Sequence, residues 1–284
     1  MNMKKCLVTG SGGFIGTYLV KELKNQGFKV VEFNRSNKLD VTSKENFSNL
    51  EKVDVVFHLA AVSGYKNSNA NANLVYKTNY LGVVNVLEYC RRVKAKLVFP
   101  STYVYDKPYN QAKKETDKAN PTTNYSFTKF LGESLCLFYS RVFKVNTLIL
   151  RTSNVYGPGQ NPIYLIPVIR DHLLKSKALE LTRPEVERSF IYIDDLVSAY
   201  IKLALSKTTR GDVFNVGPDQ STSLKDLVSL VGDIYGKPPK ISYSGKDRPN
   251  EVDINRIDNH KIKSFIDWQP VTSLKSGLIR TLCV

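Results

Sequence analysis

Cysteine and histidine are scarce and scattered in this chain of 284 residues. Cys6, Cys90, Cys136 and Cys283 form no CxxC pair and sit among apolar residues. That pattern offers no disulfide framework and points to reduced, structural thiols in a cytoplasmic protein. His58, His172 and His260 are too dispersed to suggest a metal site. Long apolar runs are also missing: Gly, Asn or Lys breaks each one, so no segment reads as a membrane span. The opening MNMKKCLVTG meets a Gly-rich turn too early to hold a signal-peptide apolar region, and is expected to be a first strand. Acidic residues are in deficit, 26 against 41 Lys and Arg, for a formal net charge of +15. Such charge invites a nucleic-acid reading. The lysines never run longer than a pair, however, and no recognition module is present, so an anionic small substrate is the preferred explanation.

What remains is ordinary for a soluble globular protein: 42% hydrophobic and 24% charged residues, in a length that holds one large α/β domain or two intimate ones. Short β-branched runs alternate with helical patterns through the first two-thirds, as in a parallel sheet with crossover helices. Strands are expected at 4–9, 29–33, 54–58, 96–101 and 145–151, and helices near 15–26, 76–93 and 124–143. After Asn154 the texture changes to VYGPGQNPIYLIP, rich in Pro and Gly. FIYIDDL, Phe190–Leu196, is expected to return to the main sheet as a strand, and a last helix is expected over 273–282. The expected fold is therefore a Rossmann-type, doubly wound parallel sheet with a smaller, interleaved C-terminal substrate-binding subdomain. The dinucleotide-binding part is expected over 1–153, with 188–216 returning to it. The remainder, 154–187 and 217–284, is assigned to substrate.

TGSGGFIG, Thr9–Gly16, follows the first strand and opens a helix, the context a dinucleotide fingerprint requires. Gly10 permits the tight turn, Gly13 lets the backbone approach a pyrophosphate, and Gly16 lets helix pack on strand. Phe14 and Ile15 lie on the helix entry, whose free N–H groups and positive dipole end face the phosphates. The spacing is GxxGxxG, and HLAA, His58–Ala61, follows the third apolar run. With these two motifs the chain resembles the extended branch of the short-chain dehydrogenase/reductase superfamily: nucleotide-sugar epimerases, dehydratases and reductases. The resemblance adds Leu59, Ala60 and Ala61 to the cofactor-binding set. It also adds Asp40 and Val41 beside the adenine, and a homodimer built through the helices after strands three and four.

That family requires a Tyr-xxx-Lys pair with Ser or Thr upstream. Three matches exist: Tyr103/Lys107, Tyr109/Lys113 and Tyr125/Lys129. The first two flank Pro108 in a loop-like stretch, where four-residue spacing sets no common direction. The third opens a strong helix, where i and i+4 share a face. Moving a tyrosine pKa from ~10 to ~7 takes about 4 kcal/mol, and an ammonium ~4 Å away at an effective dielectric of ~20 supplies roughly that. Tyr125 can then exchange a proton with a sugar hydroxyl as hydride moves at the same carbon. The resemblance makes Lys129 hold the nicotinamide ribose as well, and places Ser101, at the end of FPSTYVYD, on the reacting sugar oxygen. Asn79, on the apolar side of its helix with Val83 and Cys90, resembles the family's helix asparagine; a satisfied buried amide reads equally well. Asn154, Arg188 and Arg248 match family segments that contact the nucleotide diphosphate, and guanidinium forks suit phosphate oxygens.

Departures from the family narrow the activity. Its 4,6-dehydratases carry Asp-Glu directly after the Ser/Thr, where Thr102-Tyr103 stands here, so dehydration is disfavoured. Galactose epimerases commonly have lysine at the place of Ser63. Two enzyme readings stay open: a nucleotide-4-keto-sugar reductase and a nucleotide-sugar 4-epimerase with tightly held NAD. A non-catalytic cofactor-sensing protein is the remote third. KVVEFNRSN, Lys29–Asn37, lacks the usual strand-tip acid. Asn34 can hydrogen-bond a ribose without repelling a 2′-phosphate, and Arg35 with Ser36 suits that phosphate. This stretch favours NADP(H) over NAD(H), and with it reduction at C4 of a hexose.

Overall fold

In a parallel sheet the side chains of both faces are covered, so its strands read as continuous apolar runs rather than alternating ones. The computed structural model, which describes residues 4–63, 71–103, 112–246 and 253–283, has such a sheet at its centre. Its strands are β1 (Lys5–Thr9), β2 (Lys29–Phe33), β3 (Val55–His58), β4 (Lys96–Thr102) and β5 (Thr147–Thr152), with a sixth at Asp212–Val216. The order is sixth strand, β5, β4, β3, β1, β2. Pairing is parallel at β1–β2, β1–β3, β3–β4 and β4–β5. The chain reverses its direction of travel across the sheet between β1 and β3, so the loops leaving those two strands flank a topological switch point.

Helices α1 (Phe14–Asn25), α2 (Glu45–Ser48), α3 (Ala72–Tyr76), α4 (Gly82–Val93) and α5 (Asn124–Phe143) accompany this sheet. The buried layer includes Leu7, Phe33, Val56, Val86, Leu87, Leu97, Phe99, Cys136 and Ile149. Removing each large apolar side chain from water stabilises by about 1.5–3 kcal/mol. At Gly132 an added Cβ would overlap the tip of the Phe99 ring. The missing side chain lets α5 settle on β4, which is what later brings Lys129 to that strand.

One expectation about this sheet fails. Phe190–Tyr192 pairs in parallel with Asn154–Tyr156 as a separate two-stranded sheet, and the chain turns helical at Ile193–Leu205. The returning strand is Asp212–Val216. Asp194 and Asp195 explain the difference: two acids in a first turn complement the helix dipole, so FIYIDDL is a three-residue strand followed by a helix start. The final helix begins at Leu274, with the Ser273 side chain as its N-cap.

The chain divides into two compact units. The first comprises Met1–Thr102, Pro121–Thr152 and Val197–Phe214; the second comprises Tyr103–Asn120, Ser153–Leu196 and Asn215–Val284. The second unit also holds a three-stranded sheet of Thr222–Ser223, Glu187–Arg188 and Ile254–Asn255, and a pair formed by Leu179–Leu181 and Ile241–Tyr243. Among the described residues no helix is long and apolar enough to cross a membrane, and no cluster of His, Cys, Asp or Glu could hold a metal ion.

Candidate active site

The phosphate loop is built from close backbone approaches. Gly10 has φ +69°, a left-handed conformation that favours glycine, and its N–H donates to the Phe33 carbonyl at 2.8 Å. A Cβ there would lie 2.7 Å from the Ala60 nitrogen, so the loops after β1 and β3 touch at this point. At Gly16 a Cβ would overlap the Gly10 carbonyl oxygen. Gly13 is the N-cap of α1, without a side-chain cap, and Phe14 and Ile15 begin the helix. The N–H groups of that first turn are left for an anion. This cradle fits the diphosphate of a dinucleotide.

Thr9 and His58, at the ends of adjacent strands, close the floor. Thr9 Oγ1 and His58 Nδ1 lie 2.8 Å apart, Ala60 N–H donates to Thr9 Oγ1 at 3.3 Å, and Leu59 N–H donates to the Thr9 carbonyl at 3.0 Å. Burial, and then the nearby Lys129 ammonium, pulls the His58 pKa down to about 3, so its ring is neutral. In the sequence, His58 stands only as the first residue of HLAA, with no role of its own assigned.

At the tip of β2 the residues assigned from sequence to a ribose and a 2′-phosphate also bond to neighbouring groups of the protein. Asn34 Nδ2 donates to Ser11 Oγ at 2.7 Å, while Asn34 Oδ1 accepts the Asn37 N–H at 3.0 Å. The amide thus caps the 3₁₀ turn Arg35–Asn37, which contains Ser36, and ties it to the glycine loop. Arg35 Nε lies 3.3 Å from Asp40 Oδ2, with the arginine side chain 65% exposed. Asp40 also accepts the Thr42 N–H at 2.8 Å, and that bond, with the Arg35 guanidinium, holds its carboxyl below the ordinary range. Val41 is buried, and its carbonyl accepts from Asn85.

Between α3 and α4 the helix makes a π-turn over Lys77–Leu81. Such turns occur mostly as single insertions within α-helices, often at functional sites. This one carries Asn79. Its Oδ1 accepts the Val62 N–H at 2.8 Å, and its Nδ2 donates to the Val62 carbonyl at 3.0 Å and to Thr128 Oγ1 at 3.1 Å. Asn79 therefore ties the segment after Ala61 to α5. The structure shows the buried, satisfied amide that one of the two readings from sequence described.

On α5, Thr123 and Ser126 form a capping box that fixes where the first turn starts, and so where Tyr125 stands. Lys129 is buried, and its ammonium donates to the Pro100 carbonyl at 2.7 Å while lying 5.9 Å from the Tyr125 ring centre. Burial pulls its pKa down to about 8. Ser101, also buried, follows Pro100 directly and is paired across the sheet with Arg151. The structure thus brings Lys129 together with Tyr125 and with the strand end that bears Ser101. Of the rival pairs, Lys107 and Tyr109 lie outside the described residues. A feature missed in the sequence sits one turn beyond Lys129. Glu133 and Arg151 form a buried two-point ion pair, Oε1–Nε 3.1 Å and Oε2–Nη2 3.0 Å. The spacing Tyr125, Lys129, Glu133 was its signal.

Within the second unit, the Asn154 N–H donates to the Ser189 carbonyl at 3.0 Å, which sets it beside Arg188. Arg188 Nη1 donates to the Glu187 carbonyl at 2.7 Å, and its charge acts on the buried Tyr103 hydroxyl. Arg248 lies outside the described residues.

Comparison with known proteins agrees with this geometry. Residues 6–217 match the NAD dependent epimerase/dehydratase family. An uncharacterized UDP-glucose epimerase of Bacillus subtilis is 32% identical, over 96% of this chain and 95% of that protein. The UDP-glucose 4-epimerase of Thermus thermophilus, in complex with NAD, superposes with a TM-score of 0.90 at 25% identity, covering 98% of each chain. The UDP-glucuronic acid 4-epimerase of Bacillus cereus, in complex with UDP-glucuronic acid and NAD, gives 0.89 at 28% identity, again over 98% of each. With the glycine cradle, the Tyr-xxx-Lys helix and a family match over most of its length, this chain belongs to the NAD dependent epimerase/dehydratase family, whose members act on nucleotide sugars.

Proposed function

We propose that the protein is a nucleotide-sugar 4-epimerase working on a UDP-hexose with NAD. The observation that carries this is the Lys129 ammonium, fixed on the Pro100 carbonyl between Tyr125 and the strand end bearing Ser101, with Thr102 and Tyr103 in place of an acid pair. Gly10, Gly13, Phe14, Ile15, Gly16, Leu59, Ala60 and Ala61 would hold the dinucleotide. When bound, the nicotinamide supplies a reversible hydride acceptor. Ser101 would hold the C4 oxygen, and Tyr125 would take its proton. The neighbouring ammonium of Lys129 lowers the cost of the phenolate and would hold the nicotinamide ribose. The same tyrosine returns the proton when the sugar is reduced on its other face. Asn154, Arg188 and Arg248 are assigned to the diphosphate of the substrate. NAD is preferred to NADP because Asn34 is spent on the Ser11–Asn37 closure and Arg35 already has Asp40.

A second reading is reduction of a nucleotide-4-keto-sugar with NADPH. The exposure of Arg35 favours it, since an exposed ion pair is worth only ~0–1 kcal/mol and a 2′-phosphate competes well for the guanidinium. Incubation with UDP-glucose, UDP-galactose or UDP-glucuronic acid, without added cofactor, separates the two. The epimerase reading expects the C4 epimer to form and NAD to be released on denaturation. NADPH consumption with a 4-keto-6-deoxy nucleotide sugar, and no epimer from the hexoses, would replace it by the reductase.

A further inference from the structure

The face of α5 that carries Tyr125 and Lys129 continues, one turn on, with Glu133. Its carboxylate is 4% exposed and the Arg151 guanidinium 11%. Two charges removed from water this completely cost several kcal/mol each, and the pairing energy often only offsets that, so such pairs are poor devices for stability alone. The position of this one suggests a different use. Arg151 lies on β5 directly across from Ser101, and Lys129 donates to the carbonyl just before Ser101. The ion pair therefore flanks the reacting residues from behind.

Among the described residues, the other groups around Lys129 carry no negative charge. From β3 comes His58, neutral in its buried site. From β4 come the Phe99 ring at 5.0 Å and the Pro100 carbonyl. Arg151 on β5 stands across from Ser101, and the Asn79 amide is held to Thr128, next to Lys129 in the chain. On α5 itself stand Tyr125, Cys136 and Glu133. The Cys136 thiol carries no charge at neutral pH, because burial pushes its pKa well above the ordinary value. Among the described residues, Glu133 is the carboxylate that opposes the burial of the ammonium.

We propose that Glu133, clamped by Arg151, is a positioning residue that keeps Lys129 protonated and seated on the Pro100 carbonyl beside Tyr125. The clamp matters as much as the charge. Both carboxylate oxygens are occupied by the guanidinium fork. Glu133 is therefore held on Arg151 and does not swing over to pair with Lys129, which would draw the ammonium away from Tyr125. The proposal rests on the assignment of Tyr125 and Lys129 as the reacting pair.

The test reads Lys129 directly and then through turnover. In the apo protein, the Lys129 side-chain NMR resonance is identified by its loss in Lys129→Met and titrated with pH. Glu133→Gln is expected to lower its midpoint by about one pH unit. The alkaline limb of kcat/KM should move down by the same amount, costing ~10-fold at pH 8.5 and little at pH 6.5. Arg151→Lys, which keeps the charge, should leave both midpoints within a few tenths. If Glu133→Gln does not fold, Glu133→Gln/Arg151→Met removes both charges without leaving a buried lone cation, and a smaller fall in the same direction is expected. An unmoved Lys129 midpoint, or a loss of kcat equal at every pH, overturns the proposal. A moved midpoint with full turnover in Lys129→Met would instead overturn the functional reading on which it rests.

Discussion

Replacing Lys129 by methionine should make the protein more stable as it makes it inactive. The lysine pKa falls from 10.5 to about 8 on folding because the ammonium is buried. At about 1.4 kcal/mol per unit, keeping that charge costs the folded state roughly 3 kcal/mol at pH 7. Methionine fills similar space without the charge, but the Pro100 carbonyl loses its donor at 2.7 Å, a loss of about 1–2 kcal/mol. The net gain expected for Lys129→Met at pH 7 is thus about 1–2 kcal/mol, or roughly 2–6 °C in Tm for a chain of this size. The sign of the pH dependence follows from linkage. Between pH 8 and 10.5 the unfolded chain holds a proton on Lys129 that the folded protein has lost, so wild-type stability rises with pH across that window. The penalty is fully present below pH 8 and gone above 10.5. Urea unfolding of the apo proteins at pH 7 and pH 10.5 measures this: the variant leads at pH 7 and falls about 1 kcal/mol behind at pH 10.5, where the neutral amine still donates to Pro100. A variant less stable than wild type at pH 7, or a gap unchanged by pH, would refute the reasoning.

Gly16→Ala should abolish dinucleotide binding, since its Cβ overlaps the Gly10 carbonyl and the loop must open; calorimetric titration with NAD checks this, with a stability cost of about 1–3 kcal/mol. Arg35→Ala should weaken NADP binding by about tenfold and leave NAD within about twofold; equal losses for both would mean that the side chain only shapes the turn. Asn79→Leu strands the Val62 N–H and the Val62 carbonyl, while the Thr128 hydroxyl keeps its bond to the Tyr125 carbonyl, and is expected to lower unfolding free energy by about 2–3 kcal/mol. His58 has a folded pKa of about 3 against an ordinary 6.5. The unfolded chain binds its proton first, so stability should decline as pH falls from 6.5 towards 3, by up to about 4–5 kcal/mol. His58→Gln should flatten part of that acid limb in an unfolding series.

The parts of the site that read plainly from sequence were those written in short-range chemistry. The glycine spacing and its strand–turn–helix context need no tertiary information, and neither does Tyr125/Lys129 on a strongly patterned helix. The strand positions followed from β-branched runs, with ends off by a residue or two. What failed depended on long-range partners. FIYIDDL has strand composition, but two acids at its end start a helix and its strand pairs elsewhere. At the tip of β2 the partner that sequence could not show is Ser11 of the glycine loop, which receives the Asn34 amide; Asp40, which meets Arg35, is only five residues on. The spacing Tyr125, Lys129, Glu133 placed the glutamate on their helix face, but nothing local announces that Arg151, on the next strand, will meet it there.

The π-turn at Lys77–Leu81 has a consequence for how this segment tolerates change. Each helical residue turns the chain by about 100°, so the extra residue in a π-turn sets α3 out of phase with α4. Deleting one residue would restore an unbroken α-helix, yet it would also swing everything before the turn by that angle and withdraw Asn79 from Val62. Inserting one would misalign it in the opposite sense. Exposed side chains along this helix can be exchanged one at a time, but its residue count is frozen, because the phase error itself aims Asn79.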